Sequence, residues 1–156
     1  MNRVPFPLLM PVAVAAALAL AGCQSMVAAP APTASTPATV SLYDRLGGMP
    51  AITAVVDDFV GNVAADQRIN GRFANANVPR LKALLVEQIC AGTGGPCKYT
   101  GRDMPAAHRG MNISDAEFGA LVEDLVRSLD RFNVPSREKN DLLAALGPMK
   151  PAIVGQ

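Results

Sequence analysis

The 156-residue chain has few aromatic residues, with five Phe, two Tyr and no Trp. No stretch alternates apolar and polar residues with a period of two, which is the pattern of a half-buried β-strand. Half of the residues are nevertheless hydrophobic, and many of them are alanine. This composition favours small, closely packed helices over a β-sandwich. We therefore expect an all-α fold.

The chain also lacks an excess of charge of either sign. Arg3 is the only charged residue before Cys23, so the rest of the chain carries 13 basic and 13 acidic side chains. Nucleic-acid binding depends on clustered positive charge, and this balance argues against a nucleic-acid partner. The length is sufficient for one domain with a hydrophobic core, but not for two once an N-terminal segment is removed.

The first 22 residues have the three-part form of a secretory signal. Arg3 lies in a short basic region, an apolar run extends over Val4–Leu20, and the segment ends in Leu20-Ala21-Gly22-Cys23. These last residues resemble the bacterial lipobox, which implies cleavage before Cys23 and lipid attachment to its thiol. The alternative is a retained transmembrane anchor, which the three prolines of the segment disfavour.

The residues after Cys23 predict where in the cell the protein is located and which segment links the globular domain to the membrane. Gln24 follows the cysteine, and resemblance to Gram-negative lipoproteins then implies the outer membrane, with the globular part in the periplasm. Residues 24–40 carry no charge and are mostly Ala, Pro, Thr and Ser. Such a segment buries too little apolar surface to offset the entropy of ordering. We predict a signal peptide at 1–22, a flexible tether at 23–40 and one globular domain at 41–156.

Helical periodicity predicts the elements of the globular domain. Ser114 and Glu117 have the spacing of a capping box, Ser136 is expected to cap the last helix, and Gly147 to end it. The apolar tail at residues 148–154 is expected to pack back onto the domain. The predicted helices are residues 41–48, 50–63, 78–90, 114–132 and 136–147.

A long connection between two predicted helices contains the only histidine, His108. This segment, Gly94–Met111, is rich in glycine, and long loops between packed elements often carry function. His108 is flanked by Met104, Ala107 and Met111, so its imidazole offers one neutral nitrogen to an apolar cavity. A metal or haem iron requires such a donor. An ordinary loop histidine is the alternative.

With these residues in place, residues 41–154 resemble the group I truncated haemoglobins, small globins in which two helices pack on two others around a haem. The resemblance implies a two-over-two helical sandwich and noncovalent haem b, since the Cys-x-x-Cys-His motif of c-type attachment is missing. It depends on an ordered set of short motifs: Tyr43-Asp44-Arg45-Leu46-Gly47-Gly48, Asp58-Phe59, Arg72-Phe73, Arg80-Leu81-Lys82, Gly94-Gly95-Pro96, Tyr99-Thr100-Gly101, and Met104 followed by His108 and Ile113.

The resemblance implies roles for individual residues. His108 corresponds to the proximal ligand of the haem iron, and Phe73 to the aromatic residue that stacks on the haem edge. Arg80, Lys82 and Tyr99 fall where the family surrounds the haem propionates. The residues implied to line the pocket are Met104, Ala107, Ile113 and Phe118 on the proximal side, and Leu81 and Leu85 on the distal side.

The sequence departs from the family pattern in the distal pocket. Val60 stands where the family commonly has a tyrosine that donates a hydrogen bond to bound O₂, and Leu85 replaces a polar residue that often assists it. A hydrogen bond of this charge-assisted kind is worth about 1.5–3 kcal/mol. We therefore expect faster O₂ dissociation and weaker discrimination against CO than in relatives with the tyrosine.

Two further cysteines, Cys90 and Cys97, are seven positions apart in a glycine-rich stretch. If the chain is exported, the oxidising periplasm favours a disulfide between them. The disulfide would join the end of the distal helix to the start of the segment that contains His108. Two packed thiols are the alternative, and a metal site is not favoured by two ligands without a neighbouring histidine.

These features together predict a haem-binding globin that reversibly binds O₂, NO or CO and is held by a lipid at the bacterial envelope. One alternative is a haem enzyme that turns over NO or peroxide. It would need an electron donor, and the sequence contains no flavin or nucleotide motif that identifies one. Another alternative is a helical lipoprotein that has lost haem and serves as an interaction module in the envelope, which Val60 and Leu85 suggest.

Overall fold

The computed structural model describes residues 39–156, and this part of the chain is helical. Its elements are α1 (Leu42–Arg45), α2 (Gly48–Ala65), a 3₁₀ helix (Asn70–Phe73), α3 (Val78–Gly92), α4 (Met104–His108), α5 (Asp115–Arg131), α6 (Ser136–Leu146) and a second 3₁₀ helix (Gly147–Ala152). Within the described range, β pairing is limited to an isolated bridge between Ile113 and Val154. The predicted all-α fold is confirmed. The predicted signal peptide and Cys23 lie outside the described residues.

Helix α2 is at the centre of the hydrophobic core and packs against both α3 and α5. Its buried side chains recur every three or four residues, so that one face of the helix is covered. Burying a side chain of this kind contributes about 1.5–3 kcal/mol. The buried residues of α2 are Ile52, Val55, Val56, Phe59, Val60 and Val63. None of the helices in residues 39–156 has both the length and the hydropathy needed to cross a bilayer.

The predicted capping box at the start of α5 is confirmed. The Ser114 hydroxyl accepts the backbone N–H of Glu117 at 3.2 Å, and the Glu117 carboxylate accepts the backbone N–H of Ser114 at 2.8 Å. The two bonds satisfy donors that the first turn of a helix otherwise leaves unpaired. They fix the start of α5 directly after the segment that contains His108.

The predicted cap of the last helix is wrong, whereas its predicted end at Gly147 is confirmed. Ser136 is the first residue of α6 rather than its cap, and Pro135 occupies the capping position without a side-chain hydrogen bond. α6 ends at Leu146 with Gly147 in its C-terminal capping position, and Gly147, which has a helical φ of −52°, begins the second 3₁₀ helix. This helix contains Pro148 and Pro151. Since proline has no N–H to donate, a short 3₁₀ helix replaces further α-helical turns here.

The C-terminal tail packs back onto the domain, as predicted. The Gly155 N–H donates to the Ile113 carbonyl at 3.0 Å, and the Asn112 N–H donates to the Gln156 carbonyl at 2.7 Å. Together with the bridge between Ile113 and Val154, these bonds place the tail beside the segment between α4 and α5.

A disulfide joins Cys90 and Cys97, whose Cα atoms are 5.7 Å apart. It connects the last turns of α3 to the segment that leads to α4. Gly95 lies within this loop, and a Cβ atom at this position would be 2.5 Å from the Tyr43 ring and 2.7 Å from the Cys90 sulfur. A side chain does not fit at position 95, so the close approach of the loop to α1 requires glycine.

Removing the disulfide with Cys90→Ser and Cys97→Ser together is expected to lower the free energy of unfolding by about 2–3 kcal/mol, because the cross-link restricts the unfolded chain. Urea denaturation of the full chain measures this change. A reductant should lower the midpoint of the wild type and leave that of the double variant unchanged. Equal urea midpoints for the wild type and the double variant, each measured with and without reductant, would contradict the prediction.

Candidate functional site

His108 is the last residue of α4, a helix of five residues within the segment predicted as a loop. The Asp103 carboxylate caps this helix by accepting the N–H of Ala106 at 2.8 Å, and Pro105 lies in the first turn. An aspartate followed by a proline two residues later is a recognisable helix start. It was missed because five residues are too few for a hydrophobic period to show.

The imidazole of His108 is oriented by a hydrogen bond to a backbone carbonyl. Its Nδ1 lies 2.8 Å from the Met104 carbonyl oxygen. A carbonyl only accepts hydrogen bonds, so Nδ1 carries a proton, and in the neutral imidazole Nε2 has the free lone pair. Metal-binding histidines are commonly oriented in this way, with one ring N–H donated to a backbone carbonyl. Residues 39–156 contain no cluster of three or more His, Cys, Asp or Glu side chains that could hold a bare metal ion.

A cavity of about 70 Å³ lies beside His108. Four residues with an implied role in haem binding meet there, namely Phe73, His108, Ile113 and Phe118. Six further residues line the cavity and were not predicted as pocket residues: Ile69, Arg72, Met111, Glu117, Leu121 and Ile153.

The other predicted pocket residues do not line this cavity. Val60 is buried on α2 within the main hydrophobic core. Leu81 and Leu85 are half-buried on α3, and Met104 and Ala107 are half-buried on α4. Their implied roles around the haem stay predictions.

The polar residues predicted at the propionates make contacts with other protein groups. Lys82 Nζ forms an ion pair with Asp57 Oδ1 at 2.8 Å, which joins α3 to α2. Arg80 Nη2 donates to Thr100 Oγ1 at 3.3 Å, and the Tyr99 hydroxyl donates to the carbonyl of the third residue after it at 2.9 Å. Burial raises the pKa of the Tyr99 hydroxyl. The part that these three residues play at the propionates stays a prediction.

Helices α3 and α4 meet through the Gln88 side chain. Gln88 Nε2 lies 3.7 Å from Met104 Sδ and 2.9 Å from Met149 Sδ. Thioether sulfur is a weak acceptor, so these contacts contribute little to holding the two helices together. Clefts that hold small molecules have volumes of roughly 300–1,000 Å³. The cavity beside His108 is smaller, so α3 and α4 have to separate for it to admit a porphyrin, and weak contacts between them allow this.

The chemistry of the cavity fits haem. In the neutral imidazole Nε2 has a free lone pair, and the wall of the cavity contains two aromatic rings, those of Phe73 and Phe118. A histidine nitrogen is one of the axial ligands that hold haem iron in proteins, and the apolar haem ring packs well against aromatic side chains.

Two charged residues, Arg72 and Glu117, form an ion pair at the edge of the cavity. Arg72 Nε donates to Glu117 Oε1 at 2.7 Å, and Arg72 Nη1 donates to the Met111 carbonyl at 2.7 Å. The bond from Arg72, followed by those from the Ser114 N–H and hydroxyl, lowers the pKa of Glu117 to about 2. Glu117 is therefore ionised through the physiological range.

Glu117→Gln is expected to flatten the decline of stability in acid. Since the folded pKa of about 2 is below the ordinary value of 4.5, the carboxylate contributes stability above pH 4.5 that is lost as the pH falls towards 2. Melting temperatures of the full chain between pH 6 and 2 should fall more steeply for the wild type than for the variant. Glu123→Gln, on the same helix, controls for the loss of one negative charge. Parallel curves for the wild type and Glu117→Gln would contradict the prediction.

A family model of the bacterial-like globins matches residues 41–154. The group 1 truncated haemoglobin GlbN of Mycolicibacterium paratuberculosis is 39% identical to this chain over 113 residues, which are 72% of this chain and 83% of the relative. The chain belongs to the bacterial-like globins, as a group 1 truncated haemoglobin. Haem is the cofactor of this family, in agreement with the predicted cofactor.

Solved structures agree with the fold of this truncated haemoglobin. The Fe(III) form of the truncated haemoglobin from Tetrahymena pyriformis has a TM-score of 0.73 and 28% identity, and the match covers 75% of this chain and 100% of that one. The 2/2 haemoglobin of Synechococcus sp. PCC 7002, solved with covalently attached haem, has a TM-score of 0.66 and 32% identity, covering 69% and 91%. The predicted two-over-two globin fold is confirmed.

Proposed function

We propose that this globin holds haem noncovalently through His108 and reversibly binds O₂ or another diatomic gas such as NO or CO. The observation that carries the proposal is the geometry of His108. Its Nδ1 donates to the Met104 carbonyl at 2.8 Å, which leaves the Nε2 lone pair of the neutral ring free to bind iron, and His108 lines a cavity with two phenylalanine rings. When bound, haem supplies an iron with a coordination position for a diatomic gas.

The distal side of the pocket is proposed to be apolar. The family correspondence places Val60 and Leu85 near the gas, and neither side chain can donate a hydrogen bond. Val60 is buried and Leu85 packs against the core, so both restrict the access of water. Bound gas would then be retained without a hydrogen bond from either position, which favours rapid release.

Hemin titration of the full chain, purified in mild detergent, tests the proposal. We expect uptake of one haem per chain with a Soret band, and a spectral shift when CO is added to the reduced protein. Extraction with acidified organic solvent should remove the haem, because no covalent bond is formed. A lack of stoichiometric uptake would contradict the proposal and favour the alternative of a haemless interaction module.

We further propose that the globin is carried on the periplasmic face of the outer membrane by a lipid on Cys23. The support comes from the sequence: the lipobox-like Leu20-Ala21-Gly22-Cys23 follows an apolar run and precedes the uncharged segment 24–40. Each buried methylene of an acyl chain contributes about 0.8 kcal/mol, so two chains are sufficient for stable anchoring. The disulfide between Cys90 and Cys97 suits the same oxidising compartment.

Labelling of producing cells with a fatty-acid analogue tests the anchor. The wild-type chain should take up the label and separate with the outer membrane on a density gradient. The Cys23→Ser variant should remain unlabelled. Equal labelling of both chains would contradict the proposal of lipid attachment at Cys23.

A further inference from the structure

The segment that follows His108 is a short irregular turn with an uncommon backbone. It connects α4 to α5, and two of its residues have left-handed backbone angles, with φ of 75° at Gly110 and 46° at Asn112. Residues other than glycine seldom adopt such angles, and they keep them only where the surrounding structure fixes the backbone. Because the turn directly follows His108, the contacts that fix its backbone also fix the position of the histidine.

One set of contacts comes from the chain immediately around the turn. The Met111 N–H donates to the His108 carbonyl at 3.0 Å, which closes the turn onto the histidine itself. The C-terminal tail then binds the next residue, since the Asn112 N–H donates to the Gln156 carbonyl at 2.7 Å. Both of these are backbone bonds, which a side-chain substitution leaves in place.

A side chain, that of Arg72, also contacts the turn. Its Nη1 donates to the Met111 carbonyl at 2.7 Å, and its Nε donates to Glu117 Oε1 at 2.7 Å. The planar guanidinium thus joins the middle of the turn to the first turn of α5, a geometry that a lysine cannot reproduce. Because Met111 is also bonded to the His108 carbonyl, Arg72 is connected to the histidine through one residue.

We infer that Arg72 is a positioning residue for the proximal histidine. It fixes the turn after His108 against α5 and so sets the orientation in which the imidazole meets the haem iron. The inference depends on the proposed function, because orientation of the ring matters to iron only if His108 is its ligand. A merely structural ion pair would affect the stability of the fold without affecting the bond between iron and histidine.

Resonance Raman spectroscopy of the ferrous, gas-free protein tests the inference, because the iron–histidine stretching band reports on the orientation of the ring. In Arg72→Ala we expect the iron–histidine band to shift and broaden. Haem should also transfer to excess apomyoglobin about tenfold faster, which is the lower end of the effect of losing a group that orients a metal ligand. Arg72→Lys should lie between the wild type and Arg72→Ala, since an ammonium group replaces one of the two bonds at most.

Arg68→Ala is the matched control. Arg68 also forms a 2.7 Å ion pair with a glutamate of α5, Glu123, but makes no hydrogen bond to the turn after His108. The control should keep the wild-type band and the wild-type rate of haem loss. Equal effects of Arg68→Ala and Arg72→Ala on the band would overturn the inference.

An iron–histidine band that is unchanged in Arg72→Ala would also overturn it, even if the variant melts at a lower temperature. If Arg72→Ala does not fold, Arg72→Lys and Glu117→Gln decide, because each keeps part of the hydrogen-bond set. A wild-type band in both would then be the contrary result. If the wild-type chain takes up haem but shows no iron–histidine band, the proposed role of His108 fails, and the inference fails with it.

Discussion

His108→Ala is expected to lower the affinity for haem by more than about 100-fold and to abolish stoichiometric uptake in a hemin titration. Loss of a hydrogen-bond partner behind a metal ligand already costs about 10- to 100-fold in affinity, and loss of the ligand itself should exceed this. The sequence contains no second histidine that could take its place. The Soret absorbance per chain, measured at increasing hemin concentration, gives the result.

Two controls separate loss of the ligand from damage to the pocket. Free imidazole should restore the spectrum of His108→Ala, since it supplies the nitrogen donor that the substitution removes. Met111→Leu changes another residue that lines the cavity and nearly conserves its volume, so it should bind haem as the wild type does. Wild-type ferrous and CO spectra in His108→Ala would show that another group holds the iron.

Helix boundaries could be predicted where residues of the helix itself determine them, and they differ from the prediction where a side chain outside the helix supplies the cap. α5 was predicted at residues 114–132 and extends over Asp115–Arg131, because Ser114 and Glu117 determine its start from within the sequence. α2 begins at Gly48, before the predicted start at Pro50. The Tyr43 hydroxyl accepts the Met49 N–H at 3.0 Å and so satisfies a donor of the added first turn. Periodicity contains no information about this contact.

Some residues of the candidate site could be predicted from the sequence, but the ion pairs around it could not. The correspondence with a family located His108 and Phe73, and the structure brings both to one cavity. The ion pair between Arg72 and Glu117 spans 45 positions of the sequence, so its formation depends on how the first 3₁₀ helix packs beside α5. Lys82 likewise pairs with Asp57 on another helix. Contacts of this kind follow from tertiary packing, which a single sequence does not specify directly.

Val60→Tyr is expected to slow O₂ dissociation by roughly 10- to 150-fold. The phenolic hydroxyl would donate a hydrogen bond to the bound gas, and a charge-assisted bond of about 1.5–3 kcal/mol corresponds to that factor at 1.4 kcal/mol per decade. The rate is measured by stopped-flow mixing of the oxygenated protein with CO. The same variant should discriminate more strongly against CO, because CO gains less from a hydrogen bond than O₂ does.

Val60→Phe provides the control for this substitution. Val60 is only 8% exposed within the core, so either aromatic ring overpacks the site, at a cost of about 1–3 kcal/mol in stability. The two variants differ by one hydroxyl group, and a slower release in Val60→Tyr than in Val60→Phe therefore measures the hydrogen bond alone. Equal rate constants in the two variants would mean that position 60 does not face the bound gas, and the predicted apolar distal pocket would then have to be formed by other residues.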